Sequence, residues 1–381
     1  MGWQRRFLLD SETQTSDSAT RRVALPRKGA LSGLELRTRI TNGATSGLEK
    51  IFEALDRVEV VADGSNVLFS VEGAELYRWA HFIERKEPAH YQHQGAAIVQ
   101  ELTLPICFGR FLGDPELWLD LAAYRDVETR IQYSPTIAAT EFVTGTTQFH
   151  IPYWIDDGPN PPGPRRGWLR TTQIKAFDTV ASGDDVTELS RLYPYWDIMV
   201  YCREAAIADG VDLTRAQVWV NDKQSIPFDG RWDDIQVMNE RMLGVIGLHR
   251  GTMLRGDTET FDTHTGRIWS ANVTPVFVQS DANGLINAMV GSIAGDRLTM
   301  SVSDTADAAA STHFTAAAAD RTIEWVATGL GVGNAILIPF ALNGNPDGVL
   351  DPRDMSRLQL VLTQGAAGGT TRISTRELVA A

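Results

Sequence analysis

The chain has 381 residues, 43% of them hydrophobic and 22% charged, with a formal net charge of −13. That length accommodates two ordinary domains, and the composition is that of a globular protein. An acidic surface repels phosphates and so disfavours general nucleic-acid binding. No apolar run is long enough to span a bilayer.

Residues 1–28 read as an N-terminal arm. "DSETQTSDSATRR" is polar and aperiodic, with too little apolar surface for a core. Basic residues flank it: Arg5, Arg6, Arg21, Arg22, Arg27 and Lys28, a local reversal of the overall charge. The start of the chain lacks the apolar core of a signal peptide, which gives the expectation of a protein made and kept in a cytoplasm.

From residue 29 strand signals dominate. Leu34, Leu36 and Ile40 alternate with Arg37 and Arg39, the period of a half-buried strand. "RVEVVADGSNVLFSVEG" predicts two strands around an Asp63-Gly64 turn. Leu76, Trp79, Ala80 and Ile83 then take the spacing of an amphipathic helix. Strands resume at "AIVQELTLPI", "ELWLDLA", "VETRIQY", "TIAATEFV" and "QFHIPYWI". "DDGPNPPGPRRG", with four prolines and three glycines, cannot form a ladder or a helix. It marks a linker at 158–167 between units at 29–157 and 168–381.

The second unit repeats the first. "TQIKAFDTV" and "YWDIMVYCRE" are strands, and "AQVWVNDKQSIPFDG" matches the first hairpin. A helix follows with Trp232, Ile235, Met238 and Met242 on one stripe. "AILIPFALNGNPDG" repeats "LTLPICFGRFLGD". Leu350-Asp351 then matches Leu119-Asp120, and Arg353-Asp354 matches Arg125-Asp126. Gly73 to Pro105 is 32 residues but Gly230 to Pro339 is 109, so the second unit carries 77 more, placed at about 244–328. Short strands with frequent turns and one helix per unit predict an all-β fold. It would comprise two tandem eight-stranded jelly-roll barrels, each with a short helix, and a strand-rich insertion in the second.

Chemical motifs are weak. "GLGVGNAILIP" has the glycines of a dinucleotide loop but leads into a strand, not the helix that phosphate binding needs. Of the seven histidines, His81, His90, His93, His150, His249, His264 and His313, only His90 and His93 are close in sequence. They read as a solvated loop pair, since no acid or cysteine adjoins them as a further ligand. "SDANGL" from Ser280 and "NPDGVLD" from Asn345 offer oxygens to calcium but lack a complete ligand loop, and turn formation explains both. Asp156-Asp157 and Asp184-Asp185 lie in linker and loop, and Asp233-Asp234 suit a helix start. Trp79, Trp118, Trp154, Trp168, Trp196 and Trp232 read as core rather than a sugar platform. Cys107 and Cys202 read as buried free thiols. No catalytic, cofactor or metal site is expected.

Two tandem jelly rolls, a Pro-rich joint, an arm and one large insertion resemble the double jelly-roll major capsid proteins of tailless icosahedral viruses with an internal membrane, the adenovirus-hexon-like lineage. "LPRKGALSGLELRTRITNGATSG" is similar to the short segment that precedes the first barrel strand there. The resemblance covers about Leu25 to Leu378 and lies in the layout. It implies a structural, non-enzymatic protein of a virus or bacteriophage. Its homotrimers would have a pseudo-hexameric outline and tile an icosahedral shell, with the insertion as an outward tower. The implied partners are the chain itself, neighbouring trimers, minor capsid and vertex proteins, and an internal membrane, with no specific nucleic acid and no cofactor. The six basic residues of the arm would face membrane or genome. The implied location is the virion capsid, assembled in the host cytoplasm. Two alternatives stay open: an enzyme on paired jelly rolls, of glycan amidase or copper monooxygenase type, and a carbohydrate-binding viral spike.

Overall fold

The computed structural model describes all residues except 1, 44–49, 92–96, 136–141, 159–162, 204–209, 245–246, 255–258, 263–264, 276–285, 295–296 and 305–321. The first unit runs β1 (Gln4–Gln14), β2 (Ala19–Ala24), β3 (Ala30–Thr41), β4 (Leu55–Ala62), β5 (Asn66–Val71) and α1 (Gly73–Glu84). It continues with β6 (His90–Tyr91), β7 (Val99–Cys107), β8 (Leu119–Asp120), β9 (Val127–Tyr133) and β10 (Thr147–Asp156). One sheet has the order β1-β10-β3-β7, and β5-β4-β9-β2 are consecutive in a second.

The second unit runs β11 (Gly167–Asp178), β12 (Gly183–Glu188), β13 (Tyr195–Arg203), β14 (Leu213–Val220), β15 (Ser225–Arg231) and α2 (Trp232–Leu243). Next come β16 (Gly247–Leu254), β17 (Glu259–Asp262), β18 (Thr265–Pro275), β19 (Ile286–Ala294), β20 (Arg297–Asp304) and β21 (Thr322–Val332). The unit closes with β22 (Ala335–Pro339), β23 (Leu358–Gln364) and β24 (Thr370–Ala380). Its barrel sheets are β22-β13-β24-β11 and β12-β23-β14-β15. Setting aside the insertion and the short β6 and β8, both units pair first with last, last with third and third with sixth strand. Both also pair second with seventh, seventh with fourth and fourth with fifth. That is one jelly roll used twice.

The turns repeat as well. Asp63, at φ 51°, accepts hydrogen bonds from the amides of Arg125 (2.9 Å) and Asp126 (3.4 Å). Asn221, also at φ 51°, accepts from the amides of Ser356 (2.8 Å) and Arg357 (3.3 Å). Short polar side chains tolerate this left-handed backbone and bond locally. Register here makes Val127, opposite Ala62, equivalent to Leu358, opposite Val220. Arg125-Asp126 therefore corresponds to Ser356-Arg357, three residues beyond the Arg353-Asp354 that the sequence match picked. The two Arg-Asp pairs are similar dipeptides in neighbouring turns, not equivalent positions.

The arm expected at 1–28 is not an arm. Its residues form β1 and β2, edge strands laid on β10 and β9. Their polar character comes from cross-strand charge pairing. Arg5 pairs with Glu35 (2.7 Å), Arg6 with Asp157 (2.8 Å), Arg21 with Glu12 (2.6 Å) and Arg22 with Glu128 (3.9 Å). An edge strand with one face in water needs few apolar residues, so its alternation is faint.

The Pro-rich stretch joins β10 to β11. Gly167 begins β11 at φ 138°, and a Cβ there would lie 2.1 Å from the Val379 carbonyl oxygen, so only glycine fits. The prolines that opened the internal match, Pro105 and Pro339, sit in β7 and β22 opposite Glu35 and Asp197. Neither has a second ladder partner at that position among the described residues, which is where a residue lacking N–H belongs.

Candidate functional site

Where the two barrels meet, they share a sheet. β5 and β11 pair in parallel, Phe69 with Thr171 and Ser70 with Thr172, fusing a sheet of each barrel into one. The core is shared too. One apolar cluster holds Phe52, Leu76, Trp79 and Phe108 of the first unit with Trp168, Met199, Tyr201, Val332 and Leu337 of the second. Burying a side chain of this size contributes about 1.5–3 kcal/mol, so a cluster spanning both units resists hinge motion.

α1 is the main bolt. Its N-cap Glu72 forms a reciprocal capping box with Glu75, whose carboxylate accepts the Glu72 amide at 3.1 Å. Glu72 also accepts from Arg372 of β24 (2.8 Å) and Gln173 of β11 (3.1 Å). Burial pushes the Glu75 carboxyl up to about 7. Trp79 donates its indole N–H to Ser374 at 2.9 Å. The Arg78 guanidinium lies 3.6 Å from the centre of the Tyr201 ring and donates to the Gly333 carbonyl at 3.0 Å. Beside Trp79, Arg376 of β24 pairs with Asp197 of β13 at the joint, both buried. Burial raises the Asp197 carboxyl while Arg376 pulls it back. Removing one partner of such a pair costs about 3–5 kcal/mol.

α2 bolts the second barrel to the root of its insertion. Asn239 exchanges two hydrogen bonds with the backbone of Leu337, at 2.6 and 2.8 Å. The expected stripe holds for Trp232 and Ile235, but Met242 is exposed and Gln236 and Asn239 take the buried places. Pairing with free strand-edge backbone, rather than apolar burial, fixes that face. β21 lies between β16 and β18, and β17-β20-β19 form a separate distal sheet. The glycine-rich "GLGVGN" is the β21–β22 hairpin: Gly333 (φ 23°) and Asn334 (φ 54°) make the turn. No phosphate loop is involved.

Successive strands of a jelly roll run in opposite directions, so their connections alternate between the two ends. The insertion leaves the end that carries the β1–β2, β3–β4, α1–β7 and β9–β10 connections. The opposite end carries the β2–β3 turn with Arg27 and Lys28 exposed. It also carries Asp63, Arg125 and the start of the Pro-rich stretch, tied together by Leu121 N–H to Gly29 (3.1 Å) and Arg125 N–H to Asp63 (2.9 Å). Four of the six basic residues singled out in the sequence are thus paired on the barrel surface. Arg27 and Lys28 are left together in one turn.

The remaining candidates are structural. Cys107 and Cys202 are buried, and burial pushes the Cys107 thiol up to about 12. Asp185 holds Lys175 at 2.7 Å, and Asp233 and Asp234 occupy the first turn of α2. Asn345 accepts from the Asp347 amide at 3.1 Å, the turn expected of "NPDG", and Asp347 pairs with Arg166 of the linker. Trp79, Trp118, Trp168, Trp196 and Trp232 are buried and Trp154 is half-buried. The turn from Ser280, and His93, His264 and His313, lie outside the described residues.

His90 departs from the sequence reading. It is no solvated loop residue: its ring nitrogens are shielded from water, and it stacks on His249 with centroids 6.4 Å apart. Glu87 completes a cluster whose ligand atoms lie within 4.8 Å of one another. Two clefts of about 370 and 590 Å³ open at the joint, the first beside Phe52, Glu72 and Arg372, the second beside Phe82, Asp197 and Arg376. None of the three cluster residues lines either cleft.

No family model matches the sequence, and no curated protein matches it. Solved structures do match over the whole chain. The major capsid protein of Sulfolobus turreted icosahedral virus superposes with a TM-score of 0.59 at 11% identity, covering 99% of this chain and 97% of that one. The major capsid protein P2 of bacteriophage PM2 gives 0.55 at 9% identity, covering 99% and 98%. The PBCV-1 virus capsid gives 0.55 at 10% identity, covering 99% and 93%. The chain has the double jelly-roll fold of these viral capsid proteins.

Proposed function

We propose that this chain is a structural major capsid protein that works as a homotrimer. Two barrels per subunit would give each trimer six lobes and a pseudo-hexagonal outline, a shape that tiles an icosahedral shell. The single observation that carries the reading is the rigid joint: two equivalent barrels fused through β5 and β11 over one continuous core. A closed ring of three such subunits satisfies its contacts without leaving an open end. The whole-chain likeness to viral capsid proteins supports the same role, and neither the enzyme nor the spike alternative gains support.

In this reading the insertion is a tower on the outer end, and the opposite end faces the interior. Arg27 and Lys28 there, rather than all six basic residues of the expected arm, are the contact to an anionic membrane or genome. Minor capsid and vertex proteins meet the trimer edges, and assembly takes place in the host cytoplasm before the protein resides in the virion. The full-length protein provides the test. Light scattering after gel filtration should report about three chains, and anionic vesicles should bind the trimer in a salt-sensitive way that R27E/K28E loses. A concentration-independent monomer contradicts the trimer, and unchanged vesicle binding by the variant contradicts the basal contact.

A further inference from the structure

The Glu87, His90 and His249 cluster joins parts of the chain that the barrel ladders do not. Glu87 and His90 lie on the connection from α1 to β7 in the first barrel, and His249 lies on β16 at the root of the insertion in the second. Each side chain is held by neighbours. His249 is buried against Trp325, edge to face at 4.7 Å, and His90 meets Tyr77 edge to face at 6.2 Å. Glu87 Oε1 lies 3.7 Å from His249 Nε2, while Oε2 turns toward Arg250 Nε at 3.9 Å. Among the described residues, Glu87 Oε1 and both ring nitrogens of His90 are buried with no hydrogen bond. Leaving such groups unsatisfied costs about 1–3 kcal/mol each.

The three ligand atoms lie within 4.8 Å of one another, and two imidazoles and a carboxyl group gathered from two separate segments are the donors of a metal ligand set.

We propose that Glu87, His90 and His249 bind a divalent transition metal of the zinc type, which staples the first barrel to the root of the insertion. Two nitrogens and one carboxylate oxygen suit zinc, with water completing a tetrahedron, and imidazoles do not suit calcium or magnesium. Ligand atoms 3.7 Å apart, as Oε1 and Nε2 are, can both reach one ion at about 2.0–2.2 Å. Arg250 is the competing cation at Glu87, and R250A is chosen to separate it from a metal.

The experiment uses the full-length protein stripped with a chelator and titrated with zinc chloride and, separately, cobalt chloride. One zinc per chain should bind, and cobalt should give the intense visible bands of a tetrahedral site with histidine ligands. H90Q and E87Q should each weaken zinc binding at least tenfold. H150Q, whose histidine sits beside Asp10 on the first barrel, and R250A should keep it. A wild-type protein that binds no zinc, or shows only the weak spectrum of hydrated cobalt, overturns the proposal without reference to any variant. So does a loss in H150Q equal to that in H90Q.

Discussion

Glu75 shows how much a single side chain contributes at the joint. It closes the first turn of α1 and is fully buried against β24, with a carboxyl pushed up to about 7 chiefly by burial. A folded-state value above the ordinary one means that the native protein holds this proton more tightly than the unfolded chain does. The resulting stability is present below about 4.5 and is lost as pH rises through about 7. E75Q keeps an acceptor for the Glu72 amide and removes the titration. With each pKa unit worth about 1.4 kcal/mol, E75Q should gain about 1–3 kcal/mol over wild type at pH 8.5 and little at pH 4.5. Urea midpoints at the two pH values check this, and parallel pH profiles for the two proteins would contradict it. The same scale shows what a one-dimensional reading misses. His90 looked solvated because its partners Glu87 and His249 come from a short connection and from an insertion, and nothing in local spacing brings His249 near.

Among the elements, those with strong local signals were legible. α1, the hairpins at Asp63 and Asn221, and the equivalent strands β7 and β22 all follow from period, turn chemistry and the position of proline. β1 and β2 were not legible, because edge strands with charge pairs lack the alternation that marks a half-buried strand. The duplication held the missing clue. In the second unit β11 and β12 precede β13, so a first barrel starting at β3 was two strands short. The insertion behaves as two parts. β16, β18 and β21 are built onto the large sheet, whereas β17-β20-β19 form a sheet of their own. Pro275 lies opposite Ile323 in the β18–β21 pair, so a short Gly-Ser turn can replace residues 276–321. The shortened chain should stay folded, with an unfolding midpoint close to that of wild type and the same oligomer by light scattering. Loss of soluble protein would mean that the distal sheet is part of the barrel core.

The whole molecule is two copies of one barrel locked side by side, with an insertion at one end and a compact turn cluster at the other. The lock combines a shared sheet, a shared core, and buried polar contacts such as Trp79 with Ser374 and Arg78 with Gly333. A body this stiff fixes the angle between its two lobes before any subunit meets another, which a repeating tile requires. The capsid reading therefore stands or falls on how lobes are arranged when copies associate. Electron microscopy of the purified full-length protein measures that directly. Class averages should show a threefold particle of six lobes with a hexagonal outline and projections on one face. Isolated two-lobed particles at every concentration, or a twofold assembly, would contradict the account.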